Sequence, residues 1–179
     1  MTRIWLITGA TSGFGRALVE AAAGGGDVVV GAARRPERLD DLVAALPGQV
    51  HPVALDVTDT DRGAAVMWEV AERFGRVDVL VNNAGRTQVG ALEESSEQEL
   101  RELFDLLFFG PATMTRAVLP VMRKAGAGTV VQMSSVGGQV TAPGFGAYCA
   151  SKFALEGLGK LSGPGRESRP GPECFCGTG

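Results

Sequence analysis

The sequence predicts an α/β domain built as a doubly wound parallel sheet, and three observations lead there. Short apolar runs rich in Val and Ile alternate with longer stretches of helical period, the order that βαβ units produce. The runs are mostly hydrophobic on both faces, as strands covered by helices on both sides must be. A glycine-rich turn, Thr8 to Gly15, joins the first run to the first helical stretch. Five parallel strands are expected, at Ile4–Ile7, Val28–Gly31, Val50–Leu55, Val77–Val81 and Thr129–Met133, in the spatial order 3-2-1-4-5.

Composition sets the outer limits. The 179 residues are 45% hydrophobic and 21% charged, enough for one domain with a sizeable core. A net charge of -3 gives no basic footprint for nucleic acid or anionic lipid, so neither is expected as a partner. No apolar run approaches the roughly 18 to 20 residues a membrane span needs, and the chain enters a strand at once, so a cytoplasmic protein is expected. The three cysteines, Cys149, Cys174 and Cys176, have neither the number nor the spacing for a disulfide framework or a zinc site.

Each element has a local reason. After the first strand, glycines at 9, 13 and 15 permit a tight turn, and Arg16 to Glu20 continue as a helix. After the third strand, Asp56-Val57-Thr58-Asp59 reads as a turn with Thr58 as the cap of the next helix. In that helix Met67, Val70, Ala71 and Phe74 recur at i, i+3, i+4 and i+7, and Gly75 closes it. Ser96 and Glu99 have capping-box spacing, and Leu100, Leu103, Phe104 and Leu107 form a stripe running to Gly110-Pro111, which predicts a long, kinked helix. Trp5, Phe104, Phe108 and Phe109 are expected in the core. From 159 to 179, Gly and Pro fill 9 of 21 positions and the only large apolar residues are Leu161 and Phe175. Residues 1–158 are therefore expected to form the domain, and 159–179 a disordered tail without helix or strand.

The glycine turn has the context that a dinucleotide phosphate requires: a strand before it, and after it a helix whose free N–H groups and positive dipole end attract an anion. Gly9, Thr11, Ser12, Gly13, Phe14 and Gly15 are the candidate contacts. Beyond the second strand, Gly31-Ala32-Ala33-Arg34-Arg35 offers cations and no acid. A carboxylate would accept from the ribose 2′-OH of NAD, whereas Arg34 can grip a 2′-phosphate, so NADP(H) is favoured over NAD(H); a solvated loop is the plain alternative. Asp56 and Val57 end the third strand, where Asp56 either accepts from the adenine amino group or simply serves the turn.

Farther along stand Asn82-Asn83-Ala84-Gly85, Ser134-Ser135 and Tyr148-Cys149-Ala150-Ser151-Lys152. With Thr8-Gly9-Ala10-Thr11-Ser12-Gly13-Phe14-Gly15 they resemble the short-chain dehydrogenase/reductase family, in its shorter TGxxxGxG branch, over residues 3 to about 158. The resemblance implies a Rossmann-type dinucleotide fold, a small carbonyl or alcohol substrate and a homo-oligomer. It also implies cofactor contacts at Asn83, Ala84 and Gly85, a catalytic Ser135, and a Lys152 that holds the nicotinamide ribose.

The chemistry also follows from the residues. Tyr148 and Lys152 lie at i and i+4 on one helix face. An ordinary phenol keeps its proton to about pH 10, too high for exchange at neutrality. An ammonium about 4 Å away, at an effective dielectric near 20, stabilises a phenolate by about 4 kcal/mol, enough to make a general acid/base. Ser135, at the end of the fifth strand, would donate to the substrate oxygen as charge develops.

Two departures from the family pattern stand out. Leu107 occupies the place where the family carries an asparagine that anchors a water in the proton relay, so slowed proton delivery is expected. The family's further strands after the Tyr/Lys helix, its Pro-Gly motif and its substrate loop have no counterpart after Gly159, as in a truncated or frameshifted reading of a longer gene. The fifth strand is then expected to be an exposed, association-prone edge. A cofactor-binding protein without catalysis, or a remnant of such an enzyme, is the alternative reading.

Overall fold

A computed structural model describes residues 1–161 and 173–178, the last six by their backbone. It contains the strands β1 (Ile4–Thr8), β2 (Val28–Ala33), β3 (Val50–Ala54), β4 (Val79–Asn82), β5 (Thr129–Ser134) and β6 (Glu173–Thr178). Between them run α1 (Gly13–Gly24), α2 (Asp40–Ala45), α3 (Thr60–Phe74), α4 (Glu97–Phe104), α5 (Gly110–Ala125) and α6 (Gly146–Leu161). All strands are parallel, in the order β3-β2-β1-β4-β5-β6. The expected 3-2-1-4-5 order is therefore present, and a sixth strand extends it.

That sixth strand corrects the reading of 159–179 as lacking helix and strand. The helix α6 continues to Leu161, and Glu173–Thr178 pairs with Thr129–Ser134 in register. The physical reason is the edge of β5: its N–H and C=O groups supply a template, so a short segment with weak strand character is held by pairing rather than by its own propensity. Consequently β5 is an inner strand, not the exposed edge expected. The remainder of the tail, 162–172 and 179, lies outside the described residues.

Alternation along the strands splits the core. Leu6, Val30 and Leu80 face a layer containing Met67 and Val70 of α3 with Met114 and Val118 of α5. Ile7, Val29 and Val81 face the opposite layer, with Val19 of α1 and Leu39 and Leu42 near α2. Burial of this apolar surface at about 25 cal/mol per Å² is the main force holding the sheet between its helices. Asp27 ties the entrance of β1 to β2 by accepting from Arg3 N, Arg3 Nε and Trp5 Nε1 at 2.9, 3.0 and 2.8 Å.

Caps follow the sequence with one exchange. Ser96 and Glu99 form the reciprocal box, and Gly75 ends α3 in the left-handed region at φ 76°. The cap of α3 is Asp59, which accepts from Arg62 N at 2.9 Å, not Thr58; Thr58 instead donates its N–H and hydroxyl to Asp56. The irregularity expected near Gly110-Pro111 is a π-helical turn, Asp105–Phe109, joining α4 to α5. Leu103 and Leu107 are buried on its inner side, while Phe109 is exposed, contrary to its expected place in the core. Phe109 follows Leu107 by two residues, which carries it to the far side of the helix. Trp5 is half-buried, packed against one core layer with its indole on Asp27. No described helix is long and apolar enough to cross a membrane.

Candidate functional site

The strands deliver their C-terminal ends to one rim of the sheet, and the glycine turn, Arg34, Asp56, Asn83 to Gly85, Ser135, Tyr148 and Lys152 line two cavities there. A groove of about 640 Å³ opens above β1, β2 and β3. Its floor is the glycine turn, its outer wall is Arg34, Arg35 and Arg38, and its far side is Asp56, Val57 and Ala84.

The turn is shaped so that backbone, not side chain, faces the groove. Gly9 and Gly13 have φ of 65° and 52°. A Cβ on Gly9 would come within 2.8 Å of Ala84 Cα, and one on Gly15 within 2.2 Å of Gly9 O. At Gly13, by contrast, there is nothing within 4 Å of where a Cβ would be. Ser12 stands at the N-cap of α1 without making a side-chain cap bond, so the first N–H groups of the helix remain for a ligand. Phe14 is exposed and points its turn toward the neighbouring cavity. This cradle fits a dinucleotide: an anion can approach the helix start closely, and a chain of polar walls continues in both directions from it.

Asn83 locks the cradle to β4. Its Nδ2 donates to Thr8 O and Gly9 O at 2.9 and 3.2 Å. Thr8, which the sequence reading did not single out as a contact, is the other half of the latch: its buried Oγ1 accepts from Asn83 N at 3.0 Å and Ala84 N at 3.1 Å. Thr8 stands inside the glycine motif, but only the β1–β4 pairing shows what it meets. Below them Asn82 Nδ2 donates to Gln132 Oε1 and Thr115 Oγ1 at 3.0 and 3.2 Å, tying β4 to β5 and α5. Asp56 fulfils the turn reading, since its Oδ1 accepts from Thr58 N and Oγ1, and it also lines the groove.

A second cavity of about 260 Å³ continues from Asn83 and Gly85 toward α6. Ser135, Tyr148 and Lys152 all line it, as does Leu107. Ser135 follows β5 directly, and its Oγ accepts from Gly137 N at 3.2 Å, which leaves the hydroxyl proton for an oxygen in the cavity. Tyr148 is half-buried at the start of α6. One turn on, Lys152 is buried, donates from Nζ to Met133 O at 2.7 Å, and lies 5.8 Å from the Tyr148 ring centre. The Met133 carbonyl as anchor of the lysine was not legible in the sequence. Leu107 packs where a Cβ on Gly85 would reach its Cδ2 at 3.0 Å, so an apolar side chain closes this wall.

Cys149 is buried, in keeping with a small core side chain, and His51 sits away from both cavities with Nε2 on Gly48 O. Among the described residues no group of three or more His, Cys, Asp or Glu could hold a metal.

With this geometry in view, the family is clear: the sequence profile described as short chain dehydrogenase matches residues 3–162, and the chain belongs to that family of oxidoreductases. A short-chain dehydrogenase from Streptomyces avermitilis superposes with a TM-score of 0.88 at 59% identity, over 90% of this chain and 60% of that one. A short chain dehydrogenase/reductase from Burkholderia phymatum in complex with NAD superposes at 0.91 and 33% identity, over 98% of this chain and 64% of its own. A metagenomic short-chain oxidoreductase in complex with NADP superposes at 0.84 and 32% identity, over 89% of this chain and 74% of its own. The chain spans 49 to 65% of the length of curated relatives that it matches at 34 to 40% identity.

Proposed function

We propose that this chain binds NADP(H) in preference to NAD(H) and interconverts a carbonyl and a secondary alcohol, with Ser135, Tyr148 and Lys152 as its catalytic residues. The observation that carries the reading is the continuity of the two cavities: Asn83 and Gly85 line both, so a dinucleotide seated on the glycine turn ends beside Tyr148. Gly9, Thr11, Ser12, Gly13, Phe14 and Gly15 would hold its phosphates. Arg34 would face the 2′-phosphate, Asp56 and Val57 the adenine, and Asn83, Ala84 and Gly85 the nicotinamide half, with Lys152 on its ribose.

The bound nicotinamide supplies the hydride-transfer chemistry. In the reducing direction Ser135 donates a hydrogen bond to the carbonyl oxygen, and Tyr148 gives that oxygen its proton. Lys152, one helical turn away and oriented by Met133 O, lies beside the Tyr148 ring. In the oxidising direction Tyr148 takes the proton back. Replacement of Tyr148 by Phe tests these roles: turnover falls by about 10²-fold or more, the scale of acid–base assistance, while NADPH binding is kept. Turnover that survives in Tyr148→Phe removes the tyrosine from the mechanism.

Leu107 favours a second reading, in which the chain holds the cofactor and turns over little. A buried leucine offers no polar group to a proton-relay water. NADPH binding without consumption of NADPH across a panel of ketones and aldehydes identifies that case.

A further inference from the structure

Two polar side chains behind the second cavity are buried with nothing to bond. Ser134, the last residue of β5, is 8% exposed, and Glu156, in α6, is 7% exposed. Among the described residues neither Ser134 Oγ nor Glu156 Oε1 finds a hydrogen-bond partner. A buried hydroxyl or carboxyl without a partner forfeits the hydrogen bonds that water would give it, so a fold keeps such groups where each can be answered.

Both groups converge on one place. Gly138 ends the 3-10 turn Val136–Gly138 that follows Ser135, and a Cβ there would lie 2.7 Å from Ser134 Oγ, 3.0 Å from Glu156 Cγ and 3.2 Å from Lys152 O. Glycine at this position is what lets the end of β5 and α6 bring the two groups so near the same point. Over that reach, a rotation of the Ser134 side chain or one bridging water completes a hydrogen bond from hydroxyl to carboxyl.

The order along the two elements gives this contact a role. Met133 O accepts from Lys152 Nζ at 2.7 Å, Ser134 comes next in the strand, and Ser135 follows in the cavity that it shares with Tyr148. On α6, Tyr148, Lys152 and Glu156 recur at i, i+4 and i+8 and so share one helix face. Ser134 itself lines the cavity. A tie from Ser134 to Glu156 therefore holds the strand end that carries Ser135 against the helix that carries Tyr148 and Lys152.

We infer that Ser134 and Glu156 form a buried pin, hydroxyl to carboxyl, and that both are positioning residues which set Ser135 against Tyr148. The pin stands on burial and geometry; what it positions rests on the reading of Ser135, Tyr148 and Lys152 as the catalytic group.

A double-mutant cycle in urea unfolding tests the pin. Ser134→Ala lowers the folding equilibrium constant about tenfold or more, because it leaves the carboxyl alone, but about twofold or less in the Glu156→Met background, where an apolar chain of similar length replaces the carboxyl. Equal effects in the two backgrounds overturn the pin. Positioning is read on Tyr148, the only tyrosine of the chain, so that fluorotyrosine labelling gives a single fluorine resonance. The double variant Ser134→Ala/Glu156→Met lacks the pin without burying an unpaired group. It shifts or broadens this resonance and lowers kcat about tenfold or more, while NADPH affinity stays within about twofold. An unchanged resonance, or a wild-type kcat, overturns the positioning role. A folded wild-type protein that turns over no carbonyl overturns the catalytic reading alone, since the cycle and the resonance still decide the pin.

Discussion

Alanine at position 15 should break the cradle on which the proposed activity rests. The added Cβ would lie 2.2 Å from Gly9 O, 2.4 Å from Asn83 Nδ2 and 2.9 Å from Gly9 C. Carbon and oxygen rest at about 3.3 Å or more, so the first contact is about 1 Å too short. Neither neighbour yields freely, since Gly9 O already accepts from Asn83 Nδ2, which also holds Thr8 O. Relief requires the glycine turn or α1 to shift, at a cost of about 3 kcal/mol, the upper end of what overpacking costs. Two controls isolate the cause. Gly13→Ala meets no atom within 4 Å and suffers only its φ of 52°, worth about 1 kcal/mol. Gly24→Ala meets nothing and has helical geometry, so it should be neutral or stabilise by up to about 1 kcal/mol. Urea unfolding gives the stabilities, and NADPH titration should show Gly15→Ala weakened about tenfold or more beyond Gly13→Ala. Wild-type stability and binding in Gly15→Ala would refute the close-packing argument.

Other expectations follow from single contacts. The Asp27 carboxyl is held below the usual carboxylate range, chiefly by the Arg3 backbone N–H and then by the Trp5 indole and the Arg3 side chain. Its stabilisation is therefore present above the unfolded value near pH 4 and is lost as pH falls through the lowered folded value. Asp27→Asn should cost about 1.5 to 3 kcal/mol at pH 7 and flatten the acid limb of the stability profile; urea unfolding at pH 7 and pH 3 checks both, and an unchanged acid limb would remove Asp27 as its source. Leu107→Asn puts a polar group in the wall beside Gly85 and should raise turnover about tenfold or more, within the range that acid–base assistance supplies. Steady-state rates decide it, with a thermal melt to show that the variant folds, and an unchanged rate would exclude Leu107 as the brake.

The sheet was legible because β1, β2 and β4, buried at nearly every residue, leave short apolar runs bounded by turns, too short for helices. The glycine turn, the arginines after β2 and the Tyr148/Lys152 pair were legible because their chemistry depends on spacing along the chain. What the sequence hid depends on partners far away in it. β6 owes its pairing to the edge of β5 rather than to its own Gly- and Pro-flanked residues. Thr8 shows its role only once β1 and β4 are side by side. The exchange of Thr58 for Asp59 as the cap of α3 is of another kind. Both residues can cap a helix, and Asp56 decides by engaging Thr58 first.

Fluorescence titration of the purified protein with NADPH and NADH tests the central claim most directly. The groove walled by Arg34 and Arg38, with no carboxylate at the end of β2, predicts that NADPH binds at least about tenfold more tightly than NADH. Equal or tighter binding of NADH, or no binding of either by a protein that melts cooperatively, would contradict it.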